Sequence, residues 1–163
     1  MKNLAINIKG LTKSYGEVQA LKGVDISIKK GEFFGLLGPN GAGKTTTINI
    51  LTGLVFKGSG STKVFGRDTI KDFRFTRSQI GIAAQEFSVD WFFPIEKLLF
   101  FQAGYYGIKA KDAKPTIDSL LDRLGLSSKR NSRLRQLSGG MKRRFQIAKA
   151  LVHDPEILIL DEP

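Results

Sequence analysis

Apolar and polar residues largely alternate along Leu4-Ala5-Ile6-Asn7-Ile8 and again along Val24-Asp25-Ile26-Ser27-Ile28. A period of two turns one face toward a core and the other toward water, so both stretches are expected to be half-buried antiparallel strands. Lys29-Lys30-Gly31-Glu32 interrupts the pattern as a turn, and Phe33–Leu37 follows as an apolar run without alternation, which predicts a fully buried strand. The period then lengthens. From Lys44 onward Ile48, Leu51 and Leu54 recur at helical spacing, with Gly53 placed to stop the helix. Ser59-Gly60-Ser61-Thr62 leads into a short strand, Lys63–Phe65. Farther on, Ile95, Leu98, Leu99, Gln102 and Tyr106 predict one helix. Ile117, Leu120, Leu121 and Leu124 predict a second before Gly125, with the Lys109–Lys114 stretch as connector. The stretch from Lys142 to Val152 reads as a third helix, and Ile157–Leu160 as a buried strand. Strands and helices interleave in this way in an α/β fold.

Two glycine turns lie at the starts of helices. Gly38-Pro39-Asn40-Gly41-Ala42-Gly43-Lys44-Thr45 fits G-x-x-x-x-G-K-[ST] between the apolar run and the first helix. Such a turn lets successive backbone N–H groups converge on a phosphate chain while the helix adds its positive dipole end. Lys44 would then reach the terminal phosphates and Thr45 would ligate magnesium. The second turn, Leu137-Ser138-Gly139-Gly140-Met141, opens the third helix. Ser138 is a favourable N-cap, and the two glycines leave backbone N–H groups unshielded for another anion. Alone, such a turn is an ordinary helix cap. The strand Ile157–Leu160 ends in Asp161-Glu162, a carboxylate pair suited to metal and water handling beside a phosphate loop.

These elements, in this order, resemble the ATPase subunits of ABC transporters, where they are the Walker A loop, the signature motif and the Walker B strand. Two further landmarks agree. Tyr15, in Lys13-Ser14-Tyr15-Gly16, matches the aromatic that stacks on adenine, and Gln85, after Ile80–Ala84, matches the Q-loop glutamine, although Ala84 stands where the family often has proline. The resemblance implies a phosphate-loop NTPase core with N-terminal antiparallel strands and an inserted helical subdomain over residues 87–152. It also implies ATP with Mg2+, held by Tyr15, by Gly38, Pro39, Asn40, Gly41, Ala42, Gly43, Lys44, Thr45 and Thr46, and by Ser138, Gly139 and Gly140 of a second copy. Thr45, Gln85 and Asp161 would position the magnesium, with Gln85 and Glu162 as the catalytic pair and Glu162 polarising the attacking water. Two such subunits would meet head to tail as a homodimer on a membrane-spanning permease subunit, on the cytoplasmic, inner face of the cell membrane.

The 163 residues are 41% hydrophobic, enough for one domain with a sizeable core, and contain no cysteine, which excludes a disulfide framework and a thiolate metal site. No apolar stretch approaches the ~18 residues of a membrane span, so the pore of any transporter would be another polypeptide. Lys and Arg number 26 against 15 Asp and Glu, a net charge of +11. Much of the excess, Lys129, Arg130, Arg133, Arg135, Lys142, Arg143, Arg144 and Lys149, lies around the Ser138 turn. This is either an attractor for anionic partners or a solvated basic face, and charge alone selects no partner.

Between Trp91 and Tyr106 aromatics are concentrated: Trp91, Phe92, Phe93, Phe100, Phe101, Tyr105 and Tyr106. Most of them fit the small core of the helical subdomain, and some between Phe87 and Phe93 fit a docking surface for a cytoplasmic helix of the permease. Family members continue past the position of Pro163 through a D-loop, a further strand and a switch histidine. The one histidine, His153, precedes the Asp161 strand and is expected to be a helix-end residue favoured by the helix dipole. The chain is therefore expected to be an ABC-type domain incomplete at its C-terminus, with a gap in its central sheet. Resemblances at Thr45-Thr46-Thr47, Gln102–Gly107 and Gly140–Arg144 favour a drug or polysaccharide exporter subunit, with no nucleic-acid partner. A soluble ABC-type ATPase acting on nucleic acid or ribosomes and a non-catalytic fragment are the alternatives.

Overall fold

The computed structural model describes residues 3–83 and 92–161. They fall into two compact units that divide between Gln79 and Ile80.

The first unit is built on an antiparallel sheet. Strands β1 (Leu4–Tyr15) and β2 (Val18–Lys29) form a hairpin closed by Gly16-Glu17, with Tyr15 opposite Val18. Strand β3 (Ser59–Val64) pairs with the other edge of β1, and the two-residue β4 (Arg67–Asp68) completes the order β2-β1-β3-β4. Ile6 and Ile8 are buried two residues apart, as the alternation requires, and Ala5, Leu11 and Val64 are buried as well. Where the β1–β2 register slips between Ile8 and Leu11, the N–H of Gly10 donates to the Asp25 carboxylate at 2.6 Å. Helix α1 (Lys44–Leu51) buries Ile48, Ile50 and Leu51. It stops at Gly53, whose φ of 75° reverses the chain and whose carbonyl accepts at 3.0 Å from Arg77, in the last turn of helix α2 (Phe73–Ser78).

Three expectations are corrected here. Phe33–Leu37 is not a strand, and Phe33 and Leu37 are 101% and 92% exposed. An apolar run becomes a central strand only when neighbours accept its backbone groups, and none among the described residues pairs with it. Leu54 lies beyond the end of α1 and points to solvent instead of a core. The serine- and glycine-rich lead-in at Ser59 is itself strand, because β1 supplies its partners from Thr12 onward.

In the second unit, β5 (Ile80–Ala83) and β6 (Ile157–Leu160) pair in parallel, Ile80 opposite Ile157 and Ala83 opposite Leu160. Three helices, α3 (Ile95–Tyr105), α4 (Ala110–Arg123) and α5 (Gly139–Leu151), share a core that includes Leu99, Ile117, Leu121, Leu134 and Phe145. Phe93 and Phe100 pack against that core, whereas Phe92, Phe101 and Tyr105 are exposed; Trp91 lies outside the described residues. The expected connector is shorter than the Lys109–Lys114 stretch: α4 already begins at Ala110, since the lysines of its first turns can stay in water while Ala113 and Ile117 face inward. Gly81 brings α5 close to β5. A Cβ there would lie 2.1 Å from the Ala150 carbonyl oxygen and 2.8 Å from Pro155.

Much of the basic cluster is internal structure. Arg130 bridges Glu96 on α3 and Asp118 on α4 at 3.1 and 3.0 Å, and Arg144 donates to the Leu124 carbonyl at the end of α4 at 2.7 Å. Burial pushes the Lys149 ammonium below its ordinary range. Arg130 and Arg144 hold helices together and Lys149 is partly buried, so the solvated-face and anion-attractor readings apply only to the remainder. Among the described residues no helix is long and apolar enough to cross a membrane.

Candidate functional site

The glycine loop in the first unit has a backbone that only glycine accommodates at a decisive point. Gly43, the residue before α1, has φ 86° and ψ 9°. A Cβ there would sit 2.4 Å from Leu21 Cδ2 and 2.8 Å from the Ala20 carbonyl oxygen, both on β2. The β1–β2 hairpin thus forms the floor of the loop. Because Lys13 is opposite Leu21 in that hairpin, Tyr15 lies at the end of the strand that backs the loop. Tyr15 is half exposed, with Lys13 Nζ 5.0 Å from its ring centre, so an aromatic face is presented near a cation.

Within the loop, the Ala42 N–H bonds to the Pro39 carbonyl at 3.1 Å, and Lys44 Nζ donates to the carbonyls of Gly38 and Pro39 at 2.7 and 3.0 Å. The ammonium is held against the loop by weak neutral acceptors, and a phosphate would be a stronger partner for it. Gly41, Ala42 and Thr45 are exposed, and Thr46 is half-buried. Thr47 turns inward, its hydroxyl donating to the Gly43 carbonyl at 2.9 Å.

In the second unit Ser138 caps α5, its hydroxyl oxygen accepting from the Met141 N–H at 3.3 Å, and Ser138, Gly139 and Gly140 are all exposed. The parallel register brings the carboxyl ends of β5 and β6 to one edge, and Asp161 continues the ladder by donating its N–H to the Ala83 carbonyl at 3.1 Å. Ligands of open α/β sheets bind outside such strand ends. Gln85 and Glu162 lie outside the described residues.

The two glycine turns share an electrostatic feature. Helices α3 and α4 carry their own acids, Glu96 and Asp112, in the first turn, where a carboxylate compensates the dipole. Helices α1 and α5, which open at the turns, carry none. Their positive ends are left for an anion from outside, which fits a polyphosphate. Magnesium makes few demands on protein carboxylates when phosphates share the ligation. Among the described residues no group of three or more His, Cys, Asp or Glu forms a metal cluster.

His153 corrects the helix-dipole expectation. It follows the end of α5, and its ring stacks on Tyr106 with centroids 3.6 Å apart, while Nε2 meets the Ile80 carbonyl at 3.1 Å. Burial lowers its pKa, outweighing the opposite pull of the Ile80 carbonyl and Asp154. Sequence reasoning missed two contributors. Leu21 forms the floor beneath Gly43, and Arg143 reaches the Asp161 carbonyl at 3.2 Å. Leu21 carried no signal, and Arg143 was one cation in a cluster.

Comparison with known proteins gives a consistent picture. Residues 21–163 match the ABC transporter family. A Nod factor export ATP-binding protein I from a Rhizobium species is 39% identical over 163 residues, all of this chain and 54% of that protein. The linearmycin resistance ATP-binding protein LnrL of Bacillus subtilis is 40% identical over 158 residues, 97% of this chain and 51% of that one. The chain thus spans about half the length of the curated relatives it matches. Among solved structures, an ATP binding subunit of an ABC transporter superposes with a TM-score of 0.87 at 27% identity, covering 98% of this chain and 66% of the other. The cbiO1 protein of Clostridium perfringens, part of the transporter complex cbiONQ, gives 0.83 at 30% identity, covering 99% and 66%. With a phosphate-type glycine loop, antiparallel N-terminal strands and an acid-terminated parallel strand already in place, this match over most of its length makes the chain a member of the ABC transporter family.

Proposed function

We propose that this chain carries the ATP-binding and ATP-hydrolysing machinery of an exporter's ATPase subunit. The observation that carries the reading is the pair of glycine turns opening onto helices without first-turn acids. One is built around Lys44 and the other is exposed at Ser138–Gly140. Tyr15 would stack on the adenine, Gly38–Thr46 would hold the phosphates, and Thr45, Gln85 and Asp161 would position Mg2+. Bound magnesium supplies charge neutralisation along the phosphates. Glu162 would orient the attacking water and accept its proton, and Gln85 is the second residue of the catalytic pair. Ser138, Gly139 and Gly140 bind the terminal phosphate held by a second copy, so that two copies close head to tail over two nucleotides.

Such a subunit works at the inner face of the cell membrane against a membrane-spanning permease. The export named in the Nod factor relative supports an exporter. The membership of cbiO1 in a multisubunit transporter complex supports assembly with other polypeptides. The test is Glu162→Gln in the full-length protein. Phosphoryl transfer depends on positioning and electrostatics, so loss of this carboxylate slows turnover by about a hundred-fold or more while ATP binding survives. Sedimentation should then show an ATP-dependent dimer. A variant that binds ATP and stays monomeric at every nucleotide concentration would rule out the head-to-tail arrangement.

A further inference from the structure

The peptide groups on both sides of Asp161 are engaged. The N–H donates to the Ala83 carbonyl at 3.1 Å, one step beyond the β5–β6 ladder. The C=O accepts from Arg143 Nη2 at 3.2 Å. Arg143 belongs to α5, just over a turn beyond the Ser138 cap, and its other terminal nitrogen, Nη1, donates to Gln146 Oε1 at 3.0 Å. Gln146 is only 5% exposed, so water is a poor substitute for that donor. Arg143 and Gln146 lie three residues apart and therefore on one face of the helix. A guanidinium is a rigid planar fork, and anchoring Nη1 on a buried amide fixes the direction of Nη2.

We infer that Arg143 is a positioning residue that fixes the main chain at Asp161, and so aims the Asp161 carboxylate, from the helix that opens at the Ser138 turn. The main chain at Asp161 is then set from two directions, by the strand that leads toward Gln85 and by the helix that starts at Gly139. A shift of α5 moves the Asp161 carbonyl through one side chain, so the occupancy of the Ser138 turn is communicated to the carboxylate within the same chain. Lysine retains the charge but presents a single ammonium, which cannot hold both oxygens at the fork's fixed geometry.

The inference rests on the nucleotide reading only for its kinetic arm. In the nucleotide-free, full-length protein, Arg143→Ala should speed amide hydrogen exchange at Asp161 by about ten-fold, with exchange at Ile82 and the melting temperature little changed. Unchanged exchange at Asp161 overturns the inference. So does acceleration spread evenly through β5 and β6 with a matching loss of thermal stability, which is the signature of a purely structural role.

In ATP turnover, Arg143→Ala should lower kcat by about ten-fold and raise the Mg2+ concentration for half-maximal rate, with KM for ATP within about two-fold, as expected when a reacting-centre group is slightly misplaced. Arg143→Lys should recover only part of the rate. An unaltered Mg2+ dependence and kcat in the alanine variant overturns the inference. If the parent protein neither binds nor turns over ATP, the nucleotide reading fails by itself and the exchange measurement alone decides the positioning role.

Discussion

Tyr106 lies face to face on His153, their planes 3° from parallel and their centroids 3.6 Å apart. The stack joins the residue after α3 to the residue after the α5 cap, and Nε2 of the histidine reaches back to the Ile80 carbonyl at the start of β5. Since that nitrogen faces an acceptor, it carries the proton in the neutral ring. Nδ1 is buried and has no hydrogen-bond partner among the described residues, so a second proton would enter a site without an acceptor.

This geometry predicts a pH dependence of stability. Burial lowers the pKa of folded His153 below the ordinary value near 6.5. Between the two values the unfolded chain binds the proton that the folded chain refuses, so acidification favours unfolding. The contribution is complete above about pH 6.5 and is lost as pH falls through that value toward the folded pKa. Melting temperature measured from pH 8 to pH 5 should therefore fall more steeply in the parent than in His153→Asn. Parallel curves would show that the ring does not resist protonation.

Gly81 tests the close approach of β5 and α5. Alanine there would place a methyl 2.1 Å from the Ala150 carbonyl oxygen, a backbone atom that cannot rotate aside. Gly81→Ala should destabilise the protein by about 1–3 kcal/mol, the usual cost of overpacking, read as a shift in the urea midpoint with little change in slope. Equal midpoints would mean that α5 can move away freely.

What could be read from the chain beforehand was whatever depends on neighbours close in sequence. The alternation at Leu4–Ile8 and Val24–Ile28 identified two antiparallel strands, although not that they pair as one hairpin or that β1 and β2 extend to Tyr15 and back to Val18. The glycine at position 43 could be read as a turn because its backbone angle is local. Its packing on Leu21 could not, since hairpin register decides which residue lies beneath it. Phe33–Leu37 failed for the same reason: composition describes a strand's side chains but not whether a partner strand is present. Arg143 was indistinguishable from Lys142 and Arg144 until the end of β6 was placed beside α5.

Lys44→Ala separates binding from folding. In the free protein its ammonium donates to the Gly38 and Pro39 carbonyls, which are exposed and can turn to water. Stability should therefore change by no more than about 0.5 kcal/mol, as for other surface substitutions. ATP affinity should drop by at least about ten-fold, because the one side-chain cation within the loop is gone. Equal affinity in a fluorescence titration of mutant and parent would remove the phosphate loop from the proposed function.

The floor of the same loop supplies a pair of substitutions whose effects should not add. Gly43→Ala introduces two separate costs, a left-handed backbone angle that an L-residue resists and a methyl 2.4 Å from Leu21 Cδ2. Together they should cost about 2–4 kcal/mol and weaken ATP binding by distorting the turn before α1. Leu21→Ala alone should cost about 2–4 kcal/mol, because the side chain is 2% exposed and its removal leaves a cavity. In the double variant the alanine methyl at position 43 enters the space vacated by Leu21. The clash with Leu21 then disappears while the backbone cost and the close Ala20 carbonyl contact remain. The double-mutant cycle should therefore show a favourable coupling of about 1 kcal/mol or more, with ATP affinity partly restored relative to Gly43→Ala. Strictly additive losses in stability and affinity would mean that the loop does not rest on Leu21, and that the glycine is required for its backbone angle alone.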